Sequence, residues 1–201
     1  MKKFITLALA LCLALSASVF ASAAEVNSDG GSGSTPVYLS STADGTMGGD
    51  PAATAMSVTV PTALPMAMSQ TGDVTTADNC RIVNNSYGAV RVKSVTITAE
   101  NGWKLTAFGD KATLASEKVD SNKLGFALSI GGGKQVMTTS DNATQELITD
   151  PIDGCYMTGI GDTANNFVMI DYDAIVTPLS GAVNNATVAN VVFVIEWDMV
   201  D

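Results

Sequence analysis

The stretch "NNATVANVVFVIEWDMVD" sets Val191, Phe193, Ile195, Trp197 and Met199 two residues apart. That spacing puts all five on one face of an extended chain and would scatter them around a helix. The same alternation recurs. "MSVTVP" sets Met56, Val58 and Val60 against Ser57 and Thr59 and stops at Pro61. "KLGFALSI" aligns Leu124, Phe126, Leu128 and Ile130 ahead of a triple glycine at 131–133, and "NNFVMIDYDAIVTP" reads as one long strand ending at Pro178. In "VRVKSVTITAE" the parity changes: Val90 and Val92 share one face, Val95 and Ile97 the other. The inward face therefore switches near Lys93–Ser94, as at a β-bulge or in a strand that passes between sheets. The one stretch with helical character is "DKATLASEKVD" (110–120), where Leu114 and Val119 are too few for an apolar stripe. Short strands and Asn/Gly/Asp turns such as Asn101–Gly102 predict an all-β fold, an antiparallel β-sandwich of the Ig-like, Greek-key type with a flexible N-terminal arm.

The opening "MKKFITLALALCLALSASVFASAAE" has two lysines, an apolar charge-free run from Phe4 to Phe20, and small residues at Ala21, Ser22 and Ala23. This is the layout of a secretory signal peptide cleaved after Ala23 or Ala24. Leu11 precedes Cys12 where a lipid-anchoring site would place a small residue, and no second apolar run reaches the length of a membrane span. The expected organisation is a signal peptide over 1–23, a Gly/Ser/Asp-rich arm over 24–54 with a short strand, and a β-sandwich domain over 55–201. The expected location is secreted or at the cell surface.

The chain carries a net charge of −10, two units more negative without Lys2 and Lys3. Nucleic acid and anionic lipid both require a basic face, so neither is an expected partner. Histidine is absent, which removes the Ser-His and Cys-His nucleophiles and most zinc sites. "SIGGGKQ" lacks the spacing and helix of a phosphate loop. The remaining catalytic option is paired carboxylates. Asp171 with Asp173, and Glu196 with Asp198, each sit two apart, roughly 7 Å along one side of a strand. Inward-facing Ile195 and Trp197 put the second pair on the solvent side, so no catalytic residue is assigned and the chain is read as non-enzymatic. No cofactor is expected. Calcium is the one ion that suits the acidic loops, with Asp150 and Asp153 of "TDPIDG" as candidate ligands and "ADGTMGGD" (43–50) as a second rich loop. Trp103, Tyr87, Tyr156 and Tyr172 are read as core aromatics, with a sugar-stacking face as the alternative.

Cys80 and Cys155 remain once the leader is removed. An even pair in a secreted chain points to a disulfide, and closing that loop would contribute about 4 kcal/mol. Two buried free thiols are the other reading.

Within the arm, "SGSTPVYLSST" carries a short apolar stretch, Val37, Tyr38 and Leu39. A short strand on a glycine tether is not stable alone. It either folds back as an edge strand of its own domain or adds to the open sheet edge of a neighbouring subunit, which builds a fibre.

The segments "MSVTVPTALPMAM", "IVNNSYGAVRVKSVTITAENGWKL" and "TVANVVFVIEW" resemble a group of small secreted proteins of Gram-positive bacteria over roughly residues 56–108 and 165–201. The chain is also distantly similar to WxL-type cell-surface domains, with Trp103-Lys104-Leu105 at a different place in the chain from the pair that names them. The resemblance implies a surface location and a β-sandwich, and it carries no catalytic residues. Together these readings lead to a secreted, non-enzymatic structural or interaction protein of the cell surface, acting in adhesion and assembling by strand addition through its arm. Cell-wall or surface proteins, including further copies of itself, are the expected partners. A carbohydrate- or cell-wall-binding module is the alternative.

Overall fold

The computed structural model describes residues 24–33, 55–69, 73–109 and 111–198. The signal peptide over 1–23 lies outside them. The strands are β1 (Ala24–Val26), β2 (Ser32–Gly33), β3 (Val58–Val60), β4 (Met66–Met68), β5 (Val74–Thr76), β6 (Arg81–Asn84), β7 (Val90–Ala99) and β8 (Lys104–Thr106), then β9 (Lys123–Ile130), β10 (Val136–Met137), β11 (Thr144–Ile148), β12 (Tyr156–Met157), β13 (Phe167–Val176) and β14 (Ala189–Trp197). A single helical turn and a half, α1 (Lys111–Ala115), packs on β13 and buries Leu114.

Two sheets form the sandwich. The first has the order β1-β3-β6-β13-β9-β10, with β8 added beside β9 in parallel; the second has the order β11-β7-β14-β2, with β12 beside β7. Long strands next to one another in sequence alternate between the sheets, so each crossing connection ties the two layers together. The hairpin β4–β5 stands apart and packs against β13.

The alternating residues meet between the layers. Val58, Ile82, Leu128 and Ile170 from the first sheet face Val92, Ile97, Phe193 and Ile195 from the second, all essentially inaccessible to water. Each such side chain contributes about 1.5–3 kcal/mol by leaving water. The parity change in β7 is a bulge: Ser94 pairs with Val194 while Val92 pairs with Ile195, leaving Lys93 as the extra residue. Both Val90/Val92 and Val95/Ile97 thereby face the same core.

The triple glycine that ends β9 closes against the loop before β12. Gly154 has φ +91°, and a Cβ there would collide with the Ile130 carbonyl oxygen. A Cβ on Gly133 would meet the Asp153 carbonyl oxygen. Backbone packs on backbone here, which no side chain permits. Gly154→Ala should lower stability by about 2 kcal/mol or more, from the positive φ and the collision together. Gly109→Ala, which meets nothing within 4 Å, should stay within about 0.5 kcal/mol of the parent in urea unfolding. Equal effects would show that the contact contributes nothing.

Candidate functional site

The segment read as arm begins with two strands. β1 pairs antiparallel with β3 through Ala24–Val60, Glu25–Thr59 and Val26–Val58, and β2 pairs antiparallel with β14 through Ser32–Val194 and Gly33–Phe193. Between them the chain turns at Ser28–Gly31, where Gly31 N–H donates to Ser28 O at 3.0 Å and Gly30 takes φ +70°. Composition predicted an unordered tether because residues 25–55 are dominated by Gly, Ser, Asp, Thr and Ala, too poor in apolar surface to offset the entropy of ordering, and Asn27–Gly30 are indeed exposed. Order comes from the backbone instead. Gly30 N–H donates to Ile195 O, Ile195 N–H donates to Gly31 O, and Trp197 N–H donates to Asp29 Oδ1. One ten-residue segment thus adds a strand to the edge of each sheet. Val37, Tyr38 and Leu39 lie outside the described residues, as does the loop 43–50.

On the outer face of the second sheet, the carboxylate pair at the end of β14 is already engaged. Arg91 Nε donates to Glu196 Oε1 at 2.7 Å, Lys93 Nζ lies 3.0 Å from Glu196 Oε2, and Arg91 Nη1 lies 3.5 Å from Asp198. The bulge that fixes the core parity also places Lys93 in this network. Burial would raise the Glu196 pKa, but the hydrogen bonds and charges of Lys93 and Arg91 outweigh it and hold the carboxyl below its ordinary value of 4.5. Asp171 and Asp173 are exposed on the outer face of β13, and Asp173 Oδ1 accepts the Ala174 N–H. Neither pair lines an enclosed cleft.

The expected disulfide is not formed. Cys80 and Cys155 are both buried free thiols, pushed up in pKa by burial. Cys80 precedes β6 of the first sheet, beside Tyr172; Cys155 precedes β12 of the second, where its carbonyl accepts the Val92 N–H. Each is packed as a small apolar side chain in its own layer of the core. Asp150 and Asp153 are exposed, and among the described residues no three His, Cys, Asp or Glu side chains come together to hold a metal ion.

The aromatic residues divide. Tyr172 is a core residue: its hydroxyl donates to Pro65 O and accepts the Ala77 N–H, its ring stacks on Phe126, and burial pushes its pKa up to about 12. Trp103 is half-buried against the core. Tyr87 and Tyr156 are exposed, 64% and 46%. Tyr156 borders an open groove of about 480 Å³ with Phe167, Asn165, Asp171 and the backbone of Gly131 and Gly154, and Arg81 stacks its guanidinium 5.6 Å from the Phe167 ring centre.

"IVNNS" has a structural role that the sequence did not disclose. Buried Asn84 donates to Gly88 O and Thr158 O and accepts the Ser86 N–H, while Ser86 exchanges hydrogen bonds with the backbone of Ser57. The motif ties three loops together at one end of the sandwich. No helix among the described residues is long and apolar enough to cross a membrane. No protein-family model, no curated protein and no solved structure matches the chain.

The depressed Glu196 pKa makes stability depend on acid. A carboxyl whose folded pKa lies below its unfolded value stabilises fully above the unfolded pKa, and loses that contribution as pH falls through the folded one. The urea midpoint should therefore drop between about pH 5.5 and about pH 3, and Glu196→Gln should remove part of that slope. An unchanged slope would exclude Glu196 as a contributor. For the thiols, DTNB should leave the native protein unlabelled and titrate Cys80 and Cys155 once it is denatured without reductant; no reaction after denaturation would reveal a disulfide.

Proposed function

We propose that this is a secreted, non-enzymatic structural or interaction protein of the cell surface that assembles by strand addition through its N-terminal arm. The observation that supports it is the placement of β1 and β2. The N-terminal segment closes an edge of both sheets through backbone pairing, and that mode of contact serves equally between chains. The engaged acids at the end of β14 favour a surface that is held rigid over one that turns over substrate. Secretion rests on the leader sequence over residues 1–23.

A carbohydrate-binding reading has one observation in its favour, the exposed Tyr156 ring beside Phe167 and the Asn165 and Asp171 side chains in a single groove.

Light scattering coupled to size exclusion on residues 24–201 tests the assembly. The expected result is a mass that grows with concentration in the parent and stays near one chain in Leu39→Asp, with the same circular dichroism spectrum for both. Assembly unchanged in Leu39→Asp would remove the arm from the account.

A further inference from the structure

The open groove of about 480 Å³ is bordered by the outer face of β13, and every residue lining it lies among the described residues. Its volume falls within the range of small-ligand sites. Alternation along β13 buries Val168 and Ile170 and sends Phe167, Met169 and Asp171 outward. The three stand in a row, about 7 Å from each to the next. Tyr156 lines the groove from β12, a strand of the other sheet. Its neighbours Cys155 and Met157 are buried, so the backbone is fixed and the half-exposed Tyr156 ring is held out in place. Gly131 and Gly154 line it as bare backbone, packed so closely that a Cβ on Gly131 would collide with Gly154 O.

The side chains of this groove offer acceptors and aromatic rings. The Asp171 carboxylate has no hydrogen bond or ion pair among the described residues. Asn165 commits its Nδ2 to Asp162 Oδ2 at 2.8 Å and leaves its Oδ1 as an acceptor. No lysine or arginine is among the lining residues. Arg91, opposite Tyr156 in the ladder, is held by Glu196 and Asp198. Arg81 shows what the aromatic lining attracts: from outside the groove, its guanidinium stands 5.6 Å from the centre of the Phe167 ring. The face of such a ring is negative and draws cations.

We propose that the groove binds a cation, the ammonium or guanidinium of a lysine or arginine on a basic peptide segment of a partner. The order along β13 is ring, thioether, carboxylate, and it matches such a side chain: an apolar stem packs along Phe167 and Met169 while the charge reaches Asp171 and lies over Tyr156. The N-terminal segment cannot supply that charge, because the first basic residue after Lys3 is Arg81. The cation therefore comes from another molecule. A net charge of −10 draws a basic partner toward the surface, and an anionic ligand would meet Asp171 with no cation to offset it. The site goes beyond assembly through the arm and uses none of the arm's residues.

The test titrates residues 24–201 with a Gly/Ser peptide carrying a lysine pair, with its arginine counterpart and with the same peptide acetylated on its lysines, up to millimolar concentration, and follows backbone amide shifts by NMR. The lysine and arginine peptides should shift resonances around Gly131, Tyr156 and Asp171. Acetylation, which removes the charge, should abolish the effect, and added salt should weaken it. Asp171→Asn and Tyr156→Leu should each weaken binding by about two- to fivefold with an unchanged circular dichroism spectrum. Asp173→Asn, exposed on the same face of β13 but outside the groove, should bind as the parent does. Equal weakening by Asp171→Asn and Asp173→Asn would overturn the site and leave only a general attraction to an acidic protein. Groove resonances shifted by a neutral oligosaccharide and not by the peptides would replace it with the carbohydrate reading. No shift with any of these probes would also overturn it, whatever light scattering shows of assembly.

Discussion

The pairing of β7 with β14 is the constraint on which the second sheet depends. It runs from Ala99–Ala189 to Val90–Trp197, and its one irregularity is the bulge at Lys93. Side chains alternate along a strand, so with both Lys93 and Ser94 between Val92 and Val95 an unbroken ladder would turn either Val90 and Val92 or Val95 and Ile97 to water. Four fully buried residues on one strand require that insertion. The same insertion turns Lys93 outward to meet Glu196. Core parity and surface ion pairing are thus set by a single residue.

Polar residues inside the sandwich decide how its layers are joined. Thr138, almost wholly buried, accepts the Phe126 N–H and donates to Thr106 O, locking the segment after β10 onto β9 and β8. Tyr172 fastens the β4–β5 hairpin over one part of the core, and Asn84 fastens the loops at another. A buried polar group without partners would be destabilising by about 1–3 kcal/mol, so these groups favour one arrangement of loops over the many that apolar packing alone would tolerate.

The legible parts of the sequence were those with period two. β3, β9, β13 and β14 follow from alternation, and the bulge near Lys93 follows from its failure. Exposed Tyr156 could not be separated from buried Tyr172, because each is a tyrosine in a strand and only the neighbouring layer distinguishes them. Cysteine count alone favoured a disulfide, but the two thiols belong to different layers of the core. The ordering of residues 24–33 was illegible for a related reason. Its energy lies in backbone groups, which every residue shares and which leave no signature in composition.

The sequence by itself determined the all-β class, the inward faces of the long strands, the acidic surface and the absence of imidazole chemistry, because each depends on residue type and local spacing. Tertiary structure alone decided which strands are neighbours, where the sheets end, and that a Gly/Ser-rich segment completes both. Those outcomes depend on edges. An edge exists only once the sheets are built, and its open N–H and C=O groups belong to the backbone, not to any side chain that a sequence could display.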